Sequence, residues 1–327
     1  HQDTLIRFGL DSVFKDVGVD IRQGPGCPVC VTPQVEIEEI LALARSGLTV
    51  TAFGDAMKVP GETGSLNDAK TEGADVRIVF GIDDAVALAR KSKKEVVFMG
   101  LGFETTAPTT ASALLADPPD NFSVLSCHRT VPPALEAIAR MGEIKLDGMI
   151  EPGHVSTIIG TKPYEFLSKE YHMPQVVAGF EPLDLMMAVY MLANQIKEGR
   201  AQVENEYVRV VHPEGNLLAL DAMKKAFEPS DVVWRGFPVI KRSGLAVRKK
   251  LEKHDARKSF EDLLLPIQEK EHSEAKGCMC GEMLRGIATS EECPLFAKRC
   301  TPASPIGPCM VSREGSCYIS FRYLKKK

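Results

Sequence analysis

Several familiar signatures are missing from this 327-residue chain. There is no block of lysine and arginine apart from the terminal Lys325, Lys326 and Lys327, and the formal net charge is -4. Phosphate backbones are bound by clustered cations, so no nucleic acid is expected as a main partner. No apolar run approaches the roughly 20 residues that a membrane helix needs, and the chain is read as soluble with no membrane partner. A Walker A sequence is absent, and Gly100-Leu101-Gly102 lacks the rest of a dinucleotide fingerprint, so no motif supports a nucleotide. Tryptophan occurs once, as Trp234, a candidate for the core. Internal repeats and low-complexity tracts are also missing, which sets aside solenoids and disordered linkers.

What is present fits a globular protein of two or three domains, with 44% hydrophobic and 26% charged residues. The sequence opens on His1 rather than Met, so the compartment is read from cysteine usage. There are nine cysteines, an odd number, and six crowd into the last 50 residues. Secreted proteins spread paired cysteines as staples, whereas a local cluster points to metal or redox chemistry. A cytoplasmic location is expected.

From about residue 48, short β-rich runs alternate with helical stretches. Leu48 to Phe53, Val76 to Phe80 and Val96 to Met99 read as buried strands, then Phe122 to Ser126, Gly148 to Ile150 and Gln175 to Ala178. Helical spacing marks Pro33 to Arg45, Asp83 to Lys91, Pro132 to Met141 and Leu183 to Ile196. Such alternation predicts an α/β class, with two consecutive parallel-sheet domains meeting near Pro118-Pro119. Domains over 1–118, 119–230 and 231–327 follow. Lys241 to His272 is charged and helical in part. Beyond Gly277, Cys, Gly and Pro dominate, and a small irregular domain needs a cross-link other than apolar packing.

Three segments carry chemistry. Cys278, Cys280, Cys293, Cys300, Cys309 and Cys317 could bind an iron–sulfur cluster, which takes four thiolates at wide spacings, with two left over. Zinc, which favours paired CxxC or Cys/His knuckles not found here, and plain disulfides stay open, and spacing does not say which four bind. In Gly24-Pro25-Gly26-Cys27-Pro28-Val29-Cys30, a CxxC pair precedes a helix expected to start near Pro33 with Thr32 as its N-cap. That placement lowers a thiol pKa. The third segment is a set of strand-end loops bearing Glu104, Cys127, Glu151, His154 and Glu181. Each lies at a carboxyl edge, where open α/β sheets hold ligands, so the three glutamates are candidates to face one cleft. A single such Glu more commonly serves a helix N-terminus, and Cys127 reads as a small buried residue.

Five stretches, GPGCPVCVTP (24–33), GFETTAPT (102–109), EPGHVS (151–156), GFEPLDL (179–185) and IGPCMVSREGSC (306–317), resemble the HypD family of hydrogenase maturation proteins. The likeness runs over essentially the whole chain. It implies two similar parallel-sheet α/β domains plus a small irregular C-terminal iron–sulfur domain. It implies a [4Fe-4S] cluster in a C-X14-C-X6-C-X16-C pattern, which falls on Cys278, Cys293, Cys300 and Cys317. Cys280 with Cys309 then matches a redox pair beside the cluster, and Cys27 with Cys30 a second pair in a central cleft.

The resemblance further implies a cytoplasmic scaffold on which a transient iron carrying CN and CO ligands is built, with HypC as chaperone partner and HypE as cyanide donor. The family opens on a Cys-Gly-Gly-His-type motif whose cysteine helps to hold that iron. This sequence starts at what resembles the motif's histidine, so His1 is expected beside the metal and normal iron holding is in question. Glu104, His154 and Glu181 are expected to orient ligands or donate protons. The alternatives are a [4Fe-4S]-dependent dithiol/disulfide oxidoreductase and a docking module whose cysteines only support the fold.

Overall fold

A computed structural model describes residues 1–323; the basic end Lys325–Lys327 lies outside the described residues. Strands β1 (Thr49–Ala52), β2 (Val76–Ile78), β3 (Val96–Gly102) and β4 (Phe122–His128) form one sheet in the order β2-β1-β3-β4, every pair parallel. Strands β5 (Met149–Pro152), β6 (Gln175–Ala178) and β7 (Val203–Asn205) form a second parallel sheet in that order. The α/β class with parallel sheets is therefore what the chain adopts.

Alternation along β3 and β4 explains why these strands read as continuous apolar runs. Val96, Phe98, Phe122 and Val124 face one hydrophobic core, while Val97, Met99, Leu101, Leu125 and Cys127 face another. Helices cover both faces, as parallel sheets require. β3 runs on to Gly102, past the expected end at Met99, because its glycines accept close neighbours. A Cβ on Gly100 would stand 3.0 Å from Val124 and 3.1 Å from His128.

The sequence places a division at Pro118-Pro119, yet β4 follows those prolines and pairs with β3, so the first sheet runs across that point. Near residue 230 the antiparallel hairpin of β8 (Phe227–Val233) and β9 (Val239–Val247) spans the second division. β9 also leans on β4: Thr130 donates its N–H to the Ser243 carbonyl at 2.9 Å, and the Ser126 hydroxyl donates to the Leu245 carbonyl at 2.6 Å.

Beyond Gly277 the described residues form only short helices, Cys280–Leu284 and Ser316–Tyr323, with 3-10 turns between them. Met283, Leu284, Phe296, Met310 and Ile319 are buried there among cysteines. The last helix returns to the first one, Gln2–Arg7, where the Tyr323 hydroxyl meets Asp3 at 3.0 Å. Among the described residues, no helix is long and apolar enough to cross a membrane.

Candidate functional site

The CxxC segment folds differently from its sequence reading. Cys27 itself caps a one-turn helix, Pro28–Val31, and its sulfur accepts the Cys30 N–H at 3.1 Å. Pro28, with no N–H to satisfy and a preset φ, starts that turn. Thr32 ends the turn and donates its hydroxyl to the Pro28 carbonyl, and the next helix, Gln34–Arg45, begins after Pro33 with no side-chain cap. Cys27 and Cys30 are joined as a disulfide, with Cα atoms 5.2 Å apart.

A second disulfide joins Cys280 to Cys309, with Cα atoms 6.3 Å apart. The one-turn helix after Cys27 packs against both elements carrying that pair, the helix Cys280–Leu284 and the 3-10 turn Pro308–Met310. Two disulfides from opposite ends of the chain thus sit on adjoining elements, and all four sulfur-bearing residues are buried.

The other C-terminal cysteines, Cys278, Cys293, Cys300 and Cys317, are free thiols. Burial first, and then the nearby Cys293, Cys300 and Cys278, push the Cys317 thiol up to about 12. Cys278 is raised for the same reason, burial first and then Cys293 and Cys300. The four thiols therefore share one buried neighbourhood. Among the described residues, no three His, Cys, Asp or Glu side chains converge tightly enough for a single ion. A polynuclear cluster is bound differently, with one thiolate per iron spread around its perimeter. An all-cysteine donor set fits iron and sulfide, and the irons would offset charges that burial alone disfavours. Backbone closeness fits too: Ile306 donates its N–H to the Cys300 sulfur at 3.3 Å, and a Cβ on Gly307 would meet the Cys278 sulfur at 2.6 Å.

Two of the strand-end glutamates, Glu104 and Glu151, are buried beside one tyrosine, and the third, Glu181, stands apart from them. Glu181 is exposed and caps its own helix, Pro182–Lys197, in a capping box with Asp184. Glu104 is buried and accepts the N–H of Val131, the first residue of helix Val131–Met141, at 2.9 Å. Burial pushes its carboxyl up to about 7, and its second oxygen has no hydrogen-bond partner. Glu151, also buried, is pushed up to about 8 by burial, with its Oε1 unpartnered. Tyr164 lies beside both: its phenol is raised by burial first and then by Glu151 and Glu104, and its hydroxyl meets Ser156 at 3.2 Å. The sequence reading missed Tyr164, which carries no motif signal.

The rings of His154 and His1 both stack on Phe180, with centroids 3.8 Å and 4.7 Å away. His1 Nε2 reaches the Ala178 carbonyl at 3.1 Å, so it stands at the carboxyl edge of β6. Burial lowers the His154 pKa and favours a neutral ring. Glu314, three positions before Cys317, lies within electrostatic reach of the His1 amino group. The cysteine-rich segment and the histidine pair therefore border one region.

Cys127 is buried as expected, inside an ion network. Arg129 pairs with Glu36 at 2.8 Å, and Arg257 pairs with Glu36 at 3.2 Å and Glu39 at 2.7 Å. Breaking a buried pair leaves an uncompensated charge, a loss of about 3–5 kcal/mol. Glu36→Gln is expected to lower the unfolding free energy obtained from urea denaturation by an amount in that range, and an unchanged midpoint would show the network contributes nothing net.

Arg235 was not foreseen either. Its backbone N–H donates to the Val31 carbonyl at 2.8 Å, and its Nε and a terminal nitrogen donate to the Thr32 carbonyl at 3.1 Å and 2.8 Å. Burial lowers this guanidinium to about 10, while nearby Cys278 acts in the opposite sense. One side chain thereby spans the CxxC turn and the cysteine-rich segment.

Comparison with known proteins follows the same outline. The HypD family model, described as the hydrogenase formation hypA family, matches residues 1–324. The chain is 44% identical to hydrogenase maturation factor HypD of Rhodobacter capsulatus, covering 99% of this chain and 87% of that protein. It is 42% identical to the Cupriavidus necator HypD, covering 99% and 87%. With the Escherichia coli K12 HypD it shares 41% identity, covering 100% of this chain and 88% of the relative.

Proposed function

Because the chain belongs to the HypD family of hydrogenase maturation factors, we propose that it is the scaffold on which the Fe(CN)2(CO) unit of [NiFe] hydrogenases is assembled, in the cytoplasm, with HypC and HypE as partners. The observation that carries this reading is the meeting of two disulfide pairs, four free cysteines and a stacked histidine pair around one region. Cys278, Cys293, Cys300 and Cys317 would hold a [4Fe-4S] cluster, which when bound supplies electrons singly.

The chain's own residues do the rest. Once an external ferredoxin-type donor has supplied two electrons, with two protons, to open the Cys280–Cys309 disulfide, a thiolate of that pair attacks the Cys27–Cys30 disulfide, forming a mixed disulfide that its partner thiol resolves. Two electrons pass, the Cys280–Cys309 bond re-forms, and Cys27 and Cys30 leave as thiols. The Cys30 N–H on the Cys27 sulfur favours its thiolate. Thiolates are soft donors suited to the low-spin iron cargo, and neutral His154 can donate an N–H to a cyanide nitrogen. Glu104, its carboxyl pushed up to about 7 by burial, is poised to give or take a proton near neutral pH. Glu181 is committed to its helix cap.

The test is infrared spectroscopy on anaerobically co-purified full-length protein and HypC, with iron and acid-labile sulfide analysis. Cyanide and carbonyl stretching bands, with iron in excess of the cluster, are expected. Cys27→Ala is expected to abolish those bands while leaving cluster absorbance intact; loss of the cluster in that variant would put the assembly site elsewhere.

The adjoining disulfides also suit a second reading, a cluster-dependent dithiol/disulfide oxidoreductase. It requires turnover of a protein disulfide with a ferredoxin-type donor in the absence of HypC.

A further inference from the structure

Arg235 also forms one side of a cavity of about 260 Å3 that the assembly chemistry does not use. Its walls are Pro33, Val35, Trp234 and Phe237, with Gln34 and Gln268 beside them. The guanidinium is 2% exposed, and two of its nitrogens are occupied by the Thr32 carbonyl. The third holds the carboxylate of Glu274, whose side chain is 47% exposed. The one guanidinium nitrogen left facing the cavity makes a charge-assisted hydrogen bond to a single carboxylate oxygen.

The segment carrying Glu274 is pinned just upstream of it and turns directly into Cys278. Glu62 holds it through Lys270 at 3.0 Å, through His272 at 3.3 Å and through the Ser273 N–H at 3.0 Å. From there the chain has no regular structure until it reaches Cys278. Glu274 is thus the displaceable contact of a fixed strap, and the cavity is larger than its carboxylate needs. An acid with a short apolar tail would place its charge on Arg235 and its tail against Pro33 and Phe237.

We propose that this cavity is a carboxylate-binding site, closed in the free protein by Glu274, which takes either a small organic acid or the free carboxyl terminus of a partner chain. Occupancy would pull on two places at once: the Thr32 carbonyl, just after Cys30, and the strap, just before Cys278. Only the relevance of that coupling to the thiol pairs rests on the scaffold reading. The site itself stands apart from it.

Trp234 is the only tryptophan and lines the cavity, so its fluorescence reports on the site directly. Titrating the anaerobic full chain with propionate should give a saturable change, and Glu274→Gln should tighten binding at least tenfold because the internal competitor is gone. Propionamide, of the same shape but uncharged, should give no change in either protein. Equal affinities in wild type and Glu274→Gln, a response to propionamide, or no response in Glu274→Gln would each overturn the proposal. A short acetylated peptide with a free terminus, compared with its amidated form, identifies the source. Binding of the free form alone points to a partner's terminus; binding of propionate but neither peptide points to a small acid. Because no HypC or cargo is involved, a failed infrared test of scaffold function leaves this result unaffected.

Discussion

Replacing Cys317 with Ser should strip the chain of cluster iron and sulfide and loosen the segment from Cys278 to Tyr323. The reason is the shape of that segment. Its helices are short, and its buried apolar side chains are few and separated by turns. A stretch of this size does not supply its own core and depends on staples. One staple is the Cys280–Cys309 disulfide; the other, on the scaffold reading, is the cluster joining four separated positions. Cys317 sits at the start of the last helix, with its sulfur 3.5 Å from Met283, so its loss frees that helix from the cysteine-bearing turns. The checks are iron and sulfide content and limited proteolysis. Cleavage confined to the C-terminal segment is expected, with the parallel sheets left resistant. Full iron content in Cys317→Ser would remove it from the ligand set.

The second large effect concerns pH. Glu151 titrates at about 8 in the folded chain against an ordinary 4.5, and Glu104 at about 7, both raised by burial. Between those values the folded state binds more protons than the unfolded one, so stability falls as pH rises. The contribution is fully present below about pH 4.5 and is lost as pH climbs through 7 and 8. At about 1.4 kcal/mol per unit, Glu151 alone accounts for a decline on the order of 4 kcal/mol between pH 5 and pH 9. Glu151→Gln, neutral at every pH, should remove most of that slope. Urea denaturation across this range measures it. A wild-type curve flat from pH 5 to 9 would mean that Glu151 is ionised in the folded state and finds a partner there.

Much of this molecule was legible before its coordinates. The runs at Val96 and Phe122 read as strands because a parallel sheet buries both faces and leaves no polar alternation to confuse the pattern. The hairpin was not legible, since β8 carries Glu228, Pro229 and Asp231 and has an exposed face. Strand pairing across Pro118-Pro119 was equally hidden, because proline pairs mark a turn without saying which sheet comes next. The glutamates show the limit within the site. Glu104 and Glu181 stand in the same Gly-Phe-Glu context. One is buried on the N-terminus of a different helix, and the other is exposed on its own. Local sequence carries the tripeptide but not the neighbour that decides its charge. Arg235 and Tyr164 were invisible for the same reason, as their partners come from distant positions.

The covering of β4 has a bearing on how the protein is made. β4 is an edge strand, and its free side is closed by later chain: Ser126 reaches Leu245, 119 residues further on, and the Arg257 guanidinium takes the Ser126 carbonyl at 2.7 Å. Ribosomes add roughly 5–20 residues per second, so a nascent chain carries the unpaired edge for on the order of ten seconds. An open edge of this kind templates pairing between neighbouring polypeptides on a polysome. Slower initiation or chaperone cover during that interval, rather than a more stable core, is what would raise the yield of native protein.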